Sequence, residues 1–453
     1  MKNFLSNFLL SCICLVVASC NSEVTIGGTA ENAKEISLYS FDKGVKTLIQ
    51  TAAVDKESGA FSICTSIPAE GVYLLGLNDK ALYPVHLQRG DCVNLSFKEN
   101  SVALDPSGSS DANIALFDWE SGVNDVKVCS FFHYFLPGAN SLGAEKFFPM
   151  LEKAAAHKES MLGRLEGKKG EFYTFLRNKI NADLDFYALN YLKNSGISPS
   201  DESLPQYYRG IGSNAIFQSE EILDLPFADK MLDTYIWCLE GGEFTSKFDA
   251  KYPVGHLKSK ALQQEYLLGQ VSQMKFYDEY LNMMDQVGED FFDQAYSQRI
   301  EKVLQKISWS RPGLAAPDFK GMAPDSTYAS LSDYRGKLVV VDVWATWCEP
   351  CRRMMPLFHD LQKKFEGENV EFLSVCVGVW IESEKWLQLS KEFHITKNNF
   401  FIAGWQSDFV KDYRISGVPR YMIIDPQGNI VSVNAPNPAS VKLEEMIRKS
   451  LQK

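Results

Sequence analysis

The chain has 453 residues, enough at roughly 100–200 residues per domain for two to four domains. Hydrophobic residues make up 45% and charged residues 23%, an ordinary globular balance. Lys and Arg number 46 against 57 Asp and Glu, a formal charge of −11; the signs are mixed, with no long basic run, which argues against nucleic acid as the main partner.

The N-terminus is set apart. A short basic start, MKN, precedes the apolar FLLSCICLVVAS, which is too short to span a bilayer and ends in small residues before Cys20. This stretch resembles a bacterial lipoprotein signal, so residues 1–19 are expected to be a cleaved signal peptide and Cys20 to be lipidated. No later segment reaches about 18 uncharged apolar residues. The expectation is therefore a chain anchored in the cell envelope by lipid, facing the periplasm, with the choice of membrane open.

Export changes what the cysteines mean. Of ten encoded, Cys12 and Cys14 leave with the signal and Cys20 carries lipid; Cys64, Cys92, Cys129, Cys238, Cys348, Cys351 and Cys376 remain. Outside the cytoplasm disulfides persist, so a dithiol kept reduced there needs an electron supply. Cys64 and Cys92 fall in one β region and are candidates for a bridge. The alternative for these two, and for Cys129, Cys238 and Cys376, is that they are small buried hydrophobes.

From Val24 to about Phe97 short alternating runs (EISLYSF, GAFSICTSI, GVYLLGL, DCVNLSF) are punctuated by turn residues, predicting a small antiparallel β domain over 20–105. RGD at 89–91 reads as a tight strand connection. Over 106–308 the period becomes helical, and five to seven helices are expected. Phe172, Phe175, Leu176, Ile180, Leu184, Tyr187 and Tyr191 form one apolar stripe; Leu262, Tyr266, Val271, Met274, Tyr277 and Leu281 form another. Breaks are predicted near 196–200 and at KYPVGH, 251–256. The six histidines are scattered, and no metal-ligand cluster is seen. The Pro- and Gly-bearing SRPGLAAPDFKG, 310–321, marks a boundary. Beyond it, strand LVVVDVWATW, a helix from Pro350, strand VEFLSVCVGV, helix KWLQLSKEF and hairpin YMIIDPQGNIVSV predict an α/β domain over 309–453.

WATWCEPCRRMMP holds the chemistry. One CxxC supplies two of the four ligands zinc needs, and no second pair follows. Closing so short a loop removes little unfolded-state entropy, so a staple is a poor reading. At a helix start the free N–H groups and the dipole favour a thiolate. Cys348 is then an exposed nucleophile and Cys351, one turn in, the resolving thiol. Pro350 is tolerated in the first turn because its missing N–H would have no partner there. No cofactor is expected beyond a redox-active Cys348–Cys351 disulfide.

Residues from about 315 onward resemble the thioredoxin superfamily, in particular the TlpA/ResA-like membrane-tethered thiol–disulfide oxidoreductases. The resemblance rests on Trp347-Cys348-x-x-Cys351, the CEPC tetrad, Asp342 six residues before Cys348, Pro356, SGVPR around Pro419, APDF and YMIIDPQGNIV. The GVYLLGL region resembles the N-terminal β-sandwich of Bacteroidetes-type lipoproteins that carry such a domain. The resemblance implies a thioredoxin fold, proton transfer from Cys351 to a buried Asp342, and a cis Pro419 that leaves the Val418 backbone open to a substrate strand. A buried carboxyl has a raised pKa, which suits that transfer. Trp347 and Trp344 would be half core and half substrate platform. Arg420, where thioredoxin has threonine, would bias the groove toward acidic or polar partners. Glu349 would oppose thiolate formation at Cys348 while Arg352 and Arg353 favour it, leaving the balance open. Thioredoxin pairs its buried acid with a lysine on the neighbouring strand; this chain has none there. A peroxiredoxin would carry proline and threonine where Asp342 and Ala345 stand.

The expectation is a lipid-anchored periplasmic oxidoreductase acting on protein disulfides or dithiols, in the reducing direction, recharged by a membrane thiol donor of the DsbD/CcdA kind. Cytochrome c maturation is a minority destination. A disulfide isomerase, or a partner-binding lipoprotein with an accessory thioredoxin domain, stand as alternatives.

Overall fold

The computed structural model describes residues 23–452 apart from 43–44, 78–81, 99–100, 136–141, 243–248 and 396. The expected signal peptide and Cys20 lie outside the described residues. The chain divides into two compact units, 1–269 and 270–453. Two helices ahead of the boundary expected at 308/309 group with the α/β domain in the second of these units.

The first unit opens with eight strands: β1 Val24–Ala30, β2 Glu35–Asp42, β3 Val45–Ala53, β4 Ala60–Thr65, β5 Gly71–Gly76, β6 Leu82–Leu87, β7 Cys92–Lys98 and β8 Ser101–Leu104. They form two four-stranded sheets, β4-β1-β7-β8 and β3-β2-β5-β6. Alternate residues of both sheets, among them Ile26, Ile63 and Leu95 from one and Ile36, Leu75 and Val85 from the other, share one core. The expectation of a purely antiparallel domain needs correction: β1 runs parallel to β7. The RGD segment is a tight connection, with Gly90 at φ +87° and the Asp91 N–H donating to the Gln88 carbonyl at 3.1 Å.

The proposed Cys64–Cys92 bridge fails on register. Both residues pair with Thr25, from opposite sides of β1. They stand two strand spacings apart, about 9.5 Å, beyond the roughly 7 Å a disulfide tolerates between Cα atoms. Both are exposed thiols, not buried hydrophobes; the Cys64 thiol donates to Glu23 at 3.3 Å. Cys129 and Cys238 are half-buried, and Cys376 is buried.

Among the described residues five helices and most of a sixth complete this unit: α1 Asp111–Phe135, α2 Ala144–Leu165, α3 Glu171–Ser195, α4 Ala228–Leu239, α5 Lys251–His256 and α6 Lys260–Gln273, whose last turn passes the unit's end. Helix α1 is fixed to the outer edge of β6 by Asn113, whose amide accepts the His86 N–H and donates to the His86 carbonyl, each at 2.8 Å. The stripe from Leu176 to Tyr191 is buried as expected, and α3 ends at Gly196 in the left-handed conformation. Within the helices Lys179 bridges Glu120 at 2.8 Å and Asp183 at 2.7 Å, all three buried. KYPVGH, expected as a break, is the short helix α5; its Pro253 lies in the first turn, where a missing N–H costs nothing.

The second unit begins with α7 Tyr277–Val287 and α8 Ser297–Ile307, so 106–308 holds eight α-helices among the described residues rather than five to seven. The second apolar stripe is split between α6 and α7, because the Glu279 carboxylate accepts the N–H groups of Lys275 and Phe276 and starts a new helix there. Then follow β9 Lys320–Met322, β10 Tyr328–Ser330, β11 Leu338–Trp344, α9 Glu349–Lys364, β12 Val370–Gly378, α10 Ser383–Glu392, β13 Asn399–Ala403, α11 Asp408–Asp412, β14 Arg420–Ile424, β15 Ile430–Ala435 and α12 Val441–Leu451. The seven strands form one sheet in the order β10-β9-β13-β12-β11-β14-β15. The central β11, β12 and β13 are parallel, and β14 is antiparallel to β11.

All seven residues of LVVVDVW are buried, as a β-branched run in a sheet covered on both faces should be. Val339, Val341 and Val343 join the core that holds Phe276, Phe409 and Tyr413. Leu338 and Val340 face α9 and α12 through Phe358, Leu361, Leu443 and Ile447. The two-residue period places Asp342 on the α9 face.

Candidate functional site

The site is built where β11 ends. The chain turns after Trp344, the Cys348 N–H donates to the Ala345 carbonyl at 3.0 Å, and Cys348 becomes the N-cap of α9, with Pro350 in the first turn. Its Sγ accepts the Cys351 N–H at 3.1 Å. A sulfur that takes an N-terminal amide at the positive end of a helix is set to carry negative charge. Cys348 and Cys351 are joined by a disulfide with S–S 2.01 Å and Cα–Cα 5.3 Å.

In this oxidised state Cys348 is 1% exposed, against the expectation of an exposed nucleophile. Its sulfur is turned onto Cys351, and the pair sits among Trp344, Met355, Cys376, Trp386 and Phe401. Val418, half-buried, packs against the same cluster, and the Val418–Pro419 peptide is cis. Trp347 is 56% exposed, its ring 5.8 Å from that of Trp405.

Asp342 is 2% exposed. It pairs in register with Ser374 on β12 and Tyr421 on β14, and its Oδ1 has no hydrogen-bond partner among the described residues. Burial alone pushes its pKa from 3.8 up to about 7, because nothing compensates the lost hydration of the charged form. Such a carboxyl can both take and release a proton near neutral pH.

Two expected site residues behave differently. Arg420 does not face a substrate groove: it is 6% exposed, its Nη1 donates to the Val433 carbonyl at 3.0 Å, and its guanidinium lies over the Phe276 ring at 4.2 Å. The strand period explains this, since Arg420 shares its face with Met422 and Ile424, which lie in the core against Phe276. Glu349 is ion-paired with Arg352 one turn on, so its charge is engaged by one of the two arginines set against it.

Two neighbours, Thr346 and Ser374, were not singled out from sequence; a third, Cys376, was read there as a small buried hydrophobe, and it is buried. The buried Thr346 donates its hydroxyl proton to Glu382 Oε1 at 3.0 Å, and the other oxygen of Glu382 accepts the Val379 N–H at 2.9 Å, tying the turn before Cys348 to the end of β12. Cys376 is a buried thiol whose pKa is raised by burial. Ser374 is the buried polar residue facing Asp342 across the ladder; a lone serine within VEFLSVCVGV was the available signal.

Residues 312–433 match the AhpC/TSA family. Among curated relatives, thiol-disulfide oxidoreductase ResA of Geobacillus kaustophilus is 32% identical over 134 residues, 29% of this chain and 71% of that protein. ResA of Oceanobacillus iheyensis is 33% identical over 129 residues, 27% of this chain and 64% of that protein; the chain spans a little under two thirds of that relative. A solved thioredoxin domain of a thiol-disulfide oxidoreductase from Bacteroides vulgatus aligns at 26% identity with 31% of this chain and 96% of its own, TM-score 0.28.

Proposed function

Because the chain belongs, through its C-terminal unit, to the thioredoxin-like thiol–disulfide oxidoreductases of the AhpC/TSA family, we propose that it exchanges Cys348–Cys351 with disulfides of protein substrates in the reducing direction. The observation that carries this reading is the Cys348–Cys351 disulfide capping α9, with a buried carboxyl of pKa about 7 on the strand that leads into it.

In the reduced enzyme the Cys348 thiolate attacks one sulfur of the substrate disulfide, and the other leaves as a thiolate. Asp342 takes the proton of Cys351, whose thiolate attacks Cys348 Sγ and expels the second substrate sulfur. Two electrons pass to the substrate and the enzyme is left oxidised. Recharging calls for a membrane thiol donor of the DsbD/CcdA kind. Trp347 and the Val418–Pro419 segment beside the disulfide are the surfaces against which a substrate strand would lie; Arg420, buried, contributes to the fold. No helix among the described residues is long and apolar enough to cross a membrane, and attachment to the envelope is proposed through lipid on Cys20. The two N-terminal sheets with their common core support reading them as a sandwich, which with α1–α6 is proposed to select the substrate.

The test is turnover. With a dithiol reductant supplied, the full chain should reduce a peptide disulfide catalytically, and Cys348→Ser should abolish this. Equal rates for wild type and Cys348→Ser would end the proposal.

A further inference from the structure

Asp342 Oδ1 and Ser374 Oγ are both buried and both lack a hydrogen-bond partner among the described residues. They line one cavity of about 60 Å³, walled further by Phe358, His359, His394 and Lys397. An unsatisfied buried polar atom costs about 1–3 kcal/mol, and a cavity with polar walls holds water where each molecule has about 30 Å³ and two or more partners. This cavity has room for about two waters.

Its direction is informative. The disulfide follows the C-terminal end of β11, whereas His394 and Lys397 precede β13, which runs parallel to β12 and so to β11. The outer wall therefore lies toward the opposite end of the strands. Along α9, His359 is eleven residues beyond Cys348, about 16 Å at 1.5 Å per residue. His394 and Lys397 are exposed, while Asp342 and Ser374 are buried.

We infer that this cavity is a hydrated proton path connecting Asp342, past Ser374, to bulk solvent at His359 and His394, away from the face where a substrate docks. The inference rests on the exchange reaction proposed above. During resolution the Cys351 S–H bond breaks and its proton goes to Asp342. The Cys351–Cys348 bond forms as the Cys348–substrate bond breaks, and the substrate leaves as a thiolate. The Asp342 O–H then gives its proton to water held by Ser374, and the proton leaves through the cavity mouth, on the side that a docked substrate does not cover. No further oxidant or reductant is involved. The groups facing Asp342 are Ser374 and Cys376 from β12, Tyr421 from β14, His359 from α9, and His394 and Lys397 from the segment before β13. Ser374 is thus a positioning residue, acting through water rather than on the reacting sulfurs.

The experiment compares reduced full-length wild type, Ser374→Val, Ser374→Thr and Ile395→Phe, the last filling the cavity from its outer wall. Stopped-flow mixing with a peptide disulfide separates attack by Cys348 from resolution by Cys351, across pH and in deuterated water. The infrared carboxyl band of Asp342 follows its protonation. Ser374→Val should slow resolution about tenfold, enlarge its solvent isotope effect and move its pH inflection above the wild-type value. Attack should be unchanged, and Ser374→Thr should restore resolution. Ile395→Phe should slow resolution in the same way, and it serves as the test if the valine variant does not fold. Resolution rates and inflections equal to wild type in the folded variants would overturn the path. Absence of peptide reduction by wild type would instead overturn the exchange reaction; the carboxyl band would still judge the path, which predicts a raised midpoint in Ser374→Val and is refuted by an unmoved one.

Discussion

Asp342→Asn separates the energetic cost of the buried carboxylate from its use. Burial raises the Asp342 pKa from 3.8 to about 7, and at about 1.4 kcal/mol per unit this is about 4 kcal/mol of differential stability between the two protonation states. The folded protein holds this proton more tightly than the unfolded chain does. As pH rises from about 4 to about 7 the unfolded state sheds it first, so stability falls across that window and the loss is complete above it. Asparagine cannot ionise, so the variant lacks this slope, while every other titrating group is common to both proteins and cancels in their difference. The assay is urea unfolding with pulsed deuterium labelling, read on the peptides of β11 and β12 so that the C-terminal unit is followed alone. Relative to wild type, Asp342→Asn should gain about 4 kcal/mol between about pH 4 and about pH 9, while resolution of a mixed disulfide slows at least about a hundredfold. Parallel stability curves for the two proteins across that range would mean that Asp342 titrates alike in the folded and unfolded chain, contrary to its burial.

Other substitutions test the scaffold. Lys179→Met leaves Glu120 and Asp183 buried without their shared cation and should cost the N-terminal unit about 3–5 kcal/mol in urea unfolding; a loss below about 1 kcal/mol would mean the network is hydrated and adaptable. In the same unit, Glu120 is held down from 4.5 to about 2, where its ion pairs with Lys127 and Lys179 outweigh the opposing effect of burial. Its contribution is therefore fully present above about pH 4.5 and lost as pH falls toward about 2, and Glu120→Gln should flatten that part of the acid titration. Glu382→Ala removes both acceptors that tie Thr346 and Val379 together and should lower the stability of the C-terminal unit by about 2 kcal/mol, measurable by the same labelling; unchanged protection of the Cys348 turn would count against the tie. Phe276→Ala takes away a buried ring and the surface under Arg420, and should cost about 3–4 kcal/mol while α7 exchanges faster.

The redox site was legible because its residues are constrained locally. LVVVDVW is a run of β-branched side chains with a single charge, and a charge in such a strand is either an error or a function. CEPC follows at the point where the apolar run stops and Pro350 can start a helix. What the sequence hid depends on register and on which way a side chain turns. Cys64 and Cys92 look like a pair until both are seen to oppose Thr25. Arg420 follows Pro419 and suggests a groove, yet the alternation through Met422 sends it into the core against Phe276, a residue about 140 positions earlier. The cavity beside Asp342 joins β11, β12, α9 and the segment before β13, and no local pattern reports such a meeting. The split of one helical stripe into α6 and α7 had a signal in Glu279, three residues after Phe276, that periodicity alone overrides.

In the proposed exchange Cys348 attacks and Cys351 resolves. Cys351→Ala, reduced and mixed with a peptide disulfide, should accumulate one stable mixed disulfide that peptide mapping assigns to Cys348, while the wild type releases its adduct. Adducts on Cys64 or Cys92 in place of Cys348, or no adduct at all, would contradict it.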